Sequence, residues 1–156
     1  MISDLERVRA IADYQFGSGA GEILFPEDVS ITYSKTTGRI RHIYLGERLL
    51  ASVRPSDGFL TLTIAGAERL VAKLQKPSFT VVVSDVAAPM VSRGRSVFAK
   101  HVIEASPEIR PGDEVIVLDR GRRVIAVGRA LLSGEEMLSF DVGVAVRVRR
   151  CRLRDR

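Results

Sequence analysis

Two histidines, His42 and His101, and one cysteine, Cys151, are all that the 156 residues offer for imidazole or thiol chemistry. They form no Cys/His cluster with zinc-ligand spacing. His42 stands between Arg41 and Ile43 on an expected strand, where a surface histidine is the ordinary outcome. Cys151 has neither a histidine nor a second cysteine beside it and reads as inert. No Gly-x-Ser-x-Gly elbow occurs, and the scattered serines suggest no triad. Gly17-Ser18-Gly19-Ala20-Gly21 has the composition of a phosphate loop, but it follows a helix, lacks the Walker lysine and opens no βαβ unit, so it reads as a connector. Asp57, Asp113 and Asp119 fall in expected turns, where aspartate serves the backbone. The expectation is therefore a chain with no catalytic site, no metal and no cofactor. What remains is arginine. Lys and Arg number 24 against 19 Asp and Glu, and the sequence pI is about 9.9. Residues 1–78 hold 10 basic and 9 acidic side chains, whereas residues 79–156 hold 14 and 10. A guanidinium offers a planar fork for phosphates and stacks on bases, so the excess in the second half favours a polyanionic partner.

The elements that must position these cations follow from periodicity. Leu5, Val8, Ile11 or Ala12, and Gln15/Phe16 repeat at helical spacing, with Ser3 and Glu6 as a capping box, which predicts a helix over 3–16. Ile23 to Pro26 reads as extended or turning chain. Strands are expected at 29–33, 40–44, 49–53 and 59–64, with a hairpin turn at Thr36-Thr37-Gly38, and then a short helix over 65–74. Proline at Lys76-Pro77-Ser78 ends that helix immediately before a new apolar strand, which places a domain boundary there. The second half reads as a strand over 79–83, a short helix over 88–92 and a strand over 97–105. It continues with the turn Arg110-Pro111-Gly112-Asp113, strands over 114–118 and 124–132, a helical turn over 133–140 and a closing strand over 144–149. On the closing strand Val144, Val146 and Val148 are expected on one face and Ala145, Arg147 and Arg149 on the other. Arg152, Arg154 and Arg156 read as a frayed basic tail. Many short strands with frequent turns suggest a small barrel or sandwich.

The order of landmarks across 81–149 resembles the PUA domain, the small barrel named after pseudouridine synthases and archaeosine transglycosylases. The blocks that carry the resemblance are Gly94-Arg95-Ser96-Val97-Phe98-Ala99-Lys100-His101-Val102, Pro107 to Val115, Val124 to Met137 and Gly143 to Arg149. They are most similar to the version in archaeal tRNA-guanine transglycosylase and archaeosine synthase. The domain that precedes PUA in those proteins is resembled through Ala12 to Gly17, Leu24-Phe25-Pro26, Ser34 to Arg41 and Asp57-Gly58-Phe59. The family's large catalytic (β/α)₈ barrel does not fit into 156 residues.

The resemblance implies an α+β fold, with a helix-plus-antiparallel-sheet domain over 1–76 and a PUA pseudo-barrel over 79–152. It also implies RNA as partner, tRNA near its acceptor end in particular, and a separate catalytic chain that this one assists. An alternative is a translation-associated factor that binds ribosomal RNA through its PUA domain. The implied contacts are Arg93, Gly94, Arg95, Ser96, Lys100, His101, Arg147 and Arg149. Gly94 would let an RNA backbone approach, Arg95 and Lys100 would pair with phosphates, and His101 could stack on an unpaired base. Phe98, entering a strand, is expected in the core. Acids in Met1 to Arg7 where a signal peptide needs an apolar core, and no stretch near the roughly 20 apolar residues of a membrane span, lead to the expectation of a cytoplasmic protein.

Overall fold

The computed structural model describes residues 1–74 and 77–154, and the chain divides into two compact units, Met1–Pro77 and Ser78–Arg156. Of the expected boundary Lys76–Ser78, Lys76 lies outside the described residues.

In the first unit α1 (Asp4–Phe16) opens on the Ser3/Glu6 capping box and buries Val8, Ala12 and Phe16, a stripe of four-residue spacing. The end of the expected connector and the first residues of the stretch read as extended or turning chain form instead a single turn of helix, α2 (Ala20–Leu24). Its cause is a close approach that only glycine permits, because a Cβ on Gly21 would lie 2.3 Å from the Arg9 carbonyl oxygen. The Gly21 amide donates to Asp13 Oδ1 (2.7 Å) and Arg9 Nε to the Phe25 carbonyl (2.9 Å), which fasten α2 onto α1.

Strands β1 (Ser30–Tyr33), β2 (Ile40–Leu45), β3 (Arg48–Val53) and β4 (Leu60–Leu62) form an antiparallel sheet in that order. The last strand is shorter than the 59–64 run implied, because Thr63 caps α3 (Ile64–Lys73). Its Oγ1 accepts from the Gly66 amide (3.1 Å) while donating toward the carbonyl of Leu49 (2.7 Å). Strand β4 is an edge, and the Gln15 amide completes it, donating to the Leu60 carbonyl (3.1 Å) and accepting from its amide (2.7 Å). The Tyr33 hydroxyl donates to Asp4, a bond that raises the phenol pKa above its ordinary value.

In the second unit the strands are β5 (Thr80–Val83), β6 (Val97–Phe98), β7 (Val102–Ala105), β8 (Glu114–Leu118), β9 (Val124–Ala130) and β10 (Val144–Cys151), with helices α4 (Ala88–Val91) and α5 (Gly134–Ser139). The sheet order is β6-β10-β9-β8-β5-β7, with β5 and β8 parallel and the other pairs antiparallel. The expected strand over 97–105 thus breaks in three. Strands β6 and β7 belong to opposite edges, and the 3₁₀ turn Ala99–His101 between them carries the chain from one edge to the other. That crossing rolls the sheet into a pseudo-barrel, which agrees with the expected α+β fold. Its core holds Val81, Val83, Val115, Val117, Ile125 and Val146, with Met137 plugged in from α5. The turn aspartates do serve backbone amides: Asp57 that of Phe59 (2.9 Å), Asp113 that of Arg110 (2.8 Å) and Asp119 that of Arg123 (2.9 Å).

Candidate nucleic-acid interface

Strand β10 is the spine of the candidate site, because it is hydrogen-bonded to β6 on one side and to β9 on the other. Val146 pairs with Val97 and Val144 with Phe98. The two expected segments, the Gly94 loop with its following strand and the closing strand, are therefore neighbours. The Ala99 amide donates to the Gly143 carbonyl (3.0 Å), so Lys100 and His101 belong near the start of β10. Gly94 lies within van der Waals reach of Cys151 at its end. At about 3.3 Å per residue, the eight steps from Gly143 to Cys151 spread these groups over roughly 26 Å.

The Gly94 loop closes α4 through bonds from the Arg93 amide to Met90 (3.1 Å) and from the Gly94 amide to Val91 (2.9 Å). Gly94 has φ +106°, a conformation that side chains rarely adopt. Its Cβ direction faces the chain's own C-terminal segment, with Cys151 Sγ and the Arg154 guanidinium each 3.5 Å from that position. Arg93, Arg95 and Arg154 are exposed around it, and Ser96 is half-buried. The basic tail is accordingly no frayed end over its described part. The Arg152 amide donates to the Ile125 carbonyl (2.9 Å), its Nε to the Val124 carbonyl (2.7 Å), and the Leu153 amide to the Ser92 carbonyl (3.1 Å). Main-chain pairing beyond β10 holds this segment in place; Arg156 lies outside the described residues.

Alternation along β10 is interrupted by two bulges, at Val144/Val146 and Val148/Arg150. The first turns Ala145 into the core beside Val146, both 0% exposed, where strict alternation had put Ala145 on the wet face. The second sets Arg149 as an extra residue, and its guanidinium forks onto Glu114, with Nη1–Oε1 and Nη2–Oε2 both 2.6 Å. The Glu114 side chain is 1% exposed and that of Arg149 34%. Arg149 is thus engaged with a buried carboxylate, while Arg147 stays exposed. Arg147 stands directly opposite Arg129, and Arg129 directly opposite Glu114. Opposed residues share a face, so two exposed arginines stand side by side there. Neither has an ion pair among the described residues. Like charges facing one another are unfavourable unless an anion sits between them. Arg129 escaped the sequence reading because register, which brings it beside Arg147, is a tertiary property.

Phe98 is 45% exposed, contrary to the expected core position. Its neighbour Val97 takes the inward place, and a two-residue strand has room for one inward side chain. Lys100 is exposed and His101 half-buried within the 3₁₀ turn. No group of three metal-ligating side chains occurs among the described residues, and no described helix is long and apolar enough to cross a membrane.

Comparison with known proteins agrees with this architecture. Residues 6–77 match the patch-forming domain C2 of tRNA-guanine transglycosylase, and residues 79–152 match the PUA domain. The chain is 46% identical over 149 residues to the tRNA-guanine(15) transglycosylase of Methanothermobacter thermautotrophicus, covering 96% of this chain and 23% of that enzyme. It is 47% identical over 143 residues to that of Thermococcus kodakarensis, covering 92% and 24%. The chain thus spans about a quarter of the length of the curated relatives it matches. Among solved structures, a hypothetical protein of Pyrococcus horikoshii superposes with a TM-score of 0.76 at 25% identity over 96% of this chain and 92% of that one. A conserved PUA domain protein of Thermoplasma acidophilum shares the fold with a TM-score of 0.69 at 22% identity, over 96% and 91%. The chain carries a patch-forming C2 domain of the tRNA-guanine transglycosylase type over residues 6–77, followed by a PUA domain over residues 79–152.

Proposed function

We propose that this chain is an RNA-binding protein without a catalytic site of its own, which holds tRNA near its acceptor end and supplies that affinity to a tRNA-modifying enzyme on another chain. The observation that carries this reading is the facing pair Arg129 on β9 and Arg147 on β10, exposed and without an ion pair among the described residues, on neighbouring strands of which β10 also adjoins the Gly94 loop. A polyphosphate strand laid along β10 would relieve their repulsion and meet Arg93 and Arg95 at one end and Lys100 at the other. Likeness to the C-terminal quarter of tRNA-guanine(15) transglycosylases supports tRNA as the RNA. Recognition of this kind reads shape and phosphates, so sequence preference should be low.

Arg129→Ala with Arg147→Ala is expected to lower the slope of log affinity for tRNA against log salt by about 1.4–1.8, two phosphate contacts at roughly 0.7–0.9 each. Thermal stability should stay level or rise, since a repulsive pair is removed. Arg7→Ala with Arg48→Ala, both exposed on the first unit, removes the same charge elsewhere. Equal slopes for the two double variants would show that net charge alone drives binding.

We further infer that the two domains, 1–76 and 79–152, are separate folding units. A fragment of residues 79–156 should melt cooperatively and give dispersed amide resonances. An unfolded fragment would refute its autonomy.

A further inference from the structure

Two hairpin turns at one end of the four-stranded sheet are built alike. The Ser34 amide donates to the Arg39 carbonyl (2.8 Å) and the Gly38 amide to that of Ser34 (2.9 Å). Likewise, the Arg54 amide donates to the Phe59 carbonyl (2.8 Å) and the Gly58 amide to that of Arg54 (2.9 Å). Gly38 and Gly58 take the left-handed position in each, with φ +72° and +78°. The turns differ in charge. In the second, Asp57 holds Arg54 through Nη2–Oδ2 (2.9 Å) and Nε–Oδ1 (3.2 Å). In the first, Thr37 stands where Asp57 does, and its Oγ1 accepts from the Arg39 amide (3.3 Å).

Between the turns is a notch of about 270 Å³, lined by Ser34, Thr36, Thr37, Arg39, Arg41 and Arg54 among others, none of them acidic. Arg39 and Arg41 are exposed, and their side chains have no ion pair or hydrogen bond among the described residues. Both line the notch, Arg39 just before β2 and Arg41 as the extra residue of a bulge between Ile40 and His42. Arg39, Arg41, Thr36 and Thr37 thus line one concave space, where the nearby carboxylate of Asp57 is already bound to Arg54. Such a set fits a singly charged, oxygen-rich anion held by charge-assisted hydrogen bonds.

We propose that this notch binds a phosphodiester of the RNA backbone, which gives the first domain an RNA contact of its own. The proposal rests on the RNA-binding reading above and extends it to residues outside the PUA barrel. The test uses the full chain in two arms. Amide resonances of Thr36, Thr37 and Gly38 are followed on titration with inorganic phosphate, and tRNA affinity is measured over a range of salt for wild type, Arg39→Gln with Arg41→Gln, and the control Arg7→Gln with Arg48→Gln. The notch variant should lose about 0.7–0.9 of salt slope, the share of one phosphate contact, and the control should behave differently from it. Thr36→Asp, which supplies a carboxylate inside the notch, should weaken tRNA binding as well. If wild type binds tRNA and both notch variants bind it with unchanged slope and affinity, the proposal falls; phosphate-induced shifts in that case would assign the notch to a free anion instead. If wild type binds no tRNA, the functional reading fails and this one with it.

Discussion

Arg149→Ala is expected to lower the thermal midpoint by at least about 10 °C, read by circular dichroism. Its guanidinium forks onto Glu114, whose side chain is 1% exposed, through two 2.6 Å bonds. Removing one partner of a buried ion pair leaves the other charge desolvated without its main counter-charge, a loss of about 3 kcal/mol. In a domain of this size each kcal/mol shifts the midpoint by roughly 4–8 °C. Arg149→Lys should fall between, since an ammonium keeps the charge but cannot reproduce the fork. At temperatures where both proteins are folded, the salt slope for tRNA should match wild type, because this guanidinium is turned to Glu114. A wild-type midpoint with a slope lower by about 0.7–0.9 would return Arg149 to the RNA-binding set and remove its structural role.

Gly128→Ala is the second substitution with a large expected effect. The structure places β10 so close over Gly128 that a Cβ would lie 2.1 Å from the Arg147 carbonyl oxygen and 2.9 Å from Val148 Cα. The obstructing atoms are backbone, so no rotamer change relieves the clash and β10 must move. Forced overpacking of this kind costs about 3 kcal/mol, and urea unfolding should show an earlier midpoint with little change in slope. The same displacement would shift Arg147 away from Arg129, so tRNA affinity should fall even where the variant remains folded. A midpoint within experimental error of wild type would refute the close β9–β10 contact at Gly128.

Local signals made much of this protein legible in its sequence. The Ser3/Glu6 capping box, the helical spacing from Leu5 to Gln15/Phe16 and the turn aspartates act within a few residues along the chain, and the structure has each of them, with Val8, Ala12 and Phe16 as the buried stripe. The blocks of residues that resemble the PUA domain carried the fold class and the family, because a barrel of short strands leaves its turns and glycines in a fixed order. What the sequence could not decide was register. Whether Arg147 faces Arg129, and whether Arg149 points to RNA or to Glu114, depends on a bulge at Val148/Arg150 that no periodicity announces. A single extra residue in one strand shifts which face every later side chain takes. The breaking of 97–105 into two strands on opposite sheet edges, and the exposure of Phe98 that goes with it, likewise follow from closing the barrel. Sequence therefore determined which residues carry charge and where the elements begin, whereas tertiary structure alone decided which charges are engaged internally and which stand free, because pairing across strands joins residues far apart in the chain.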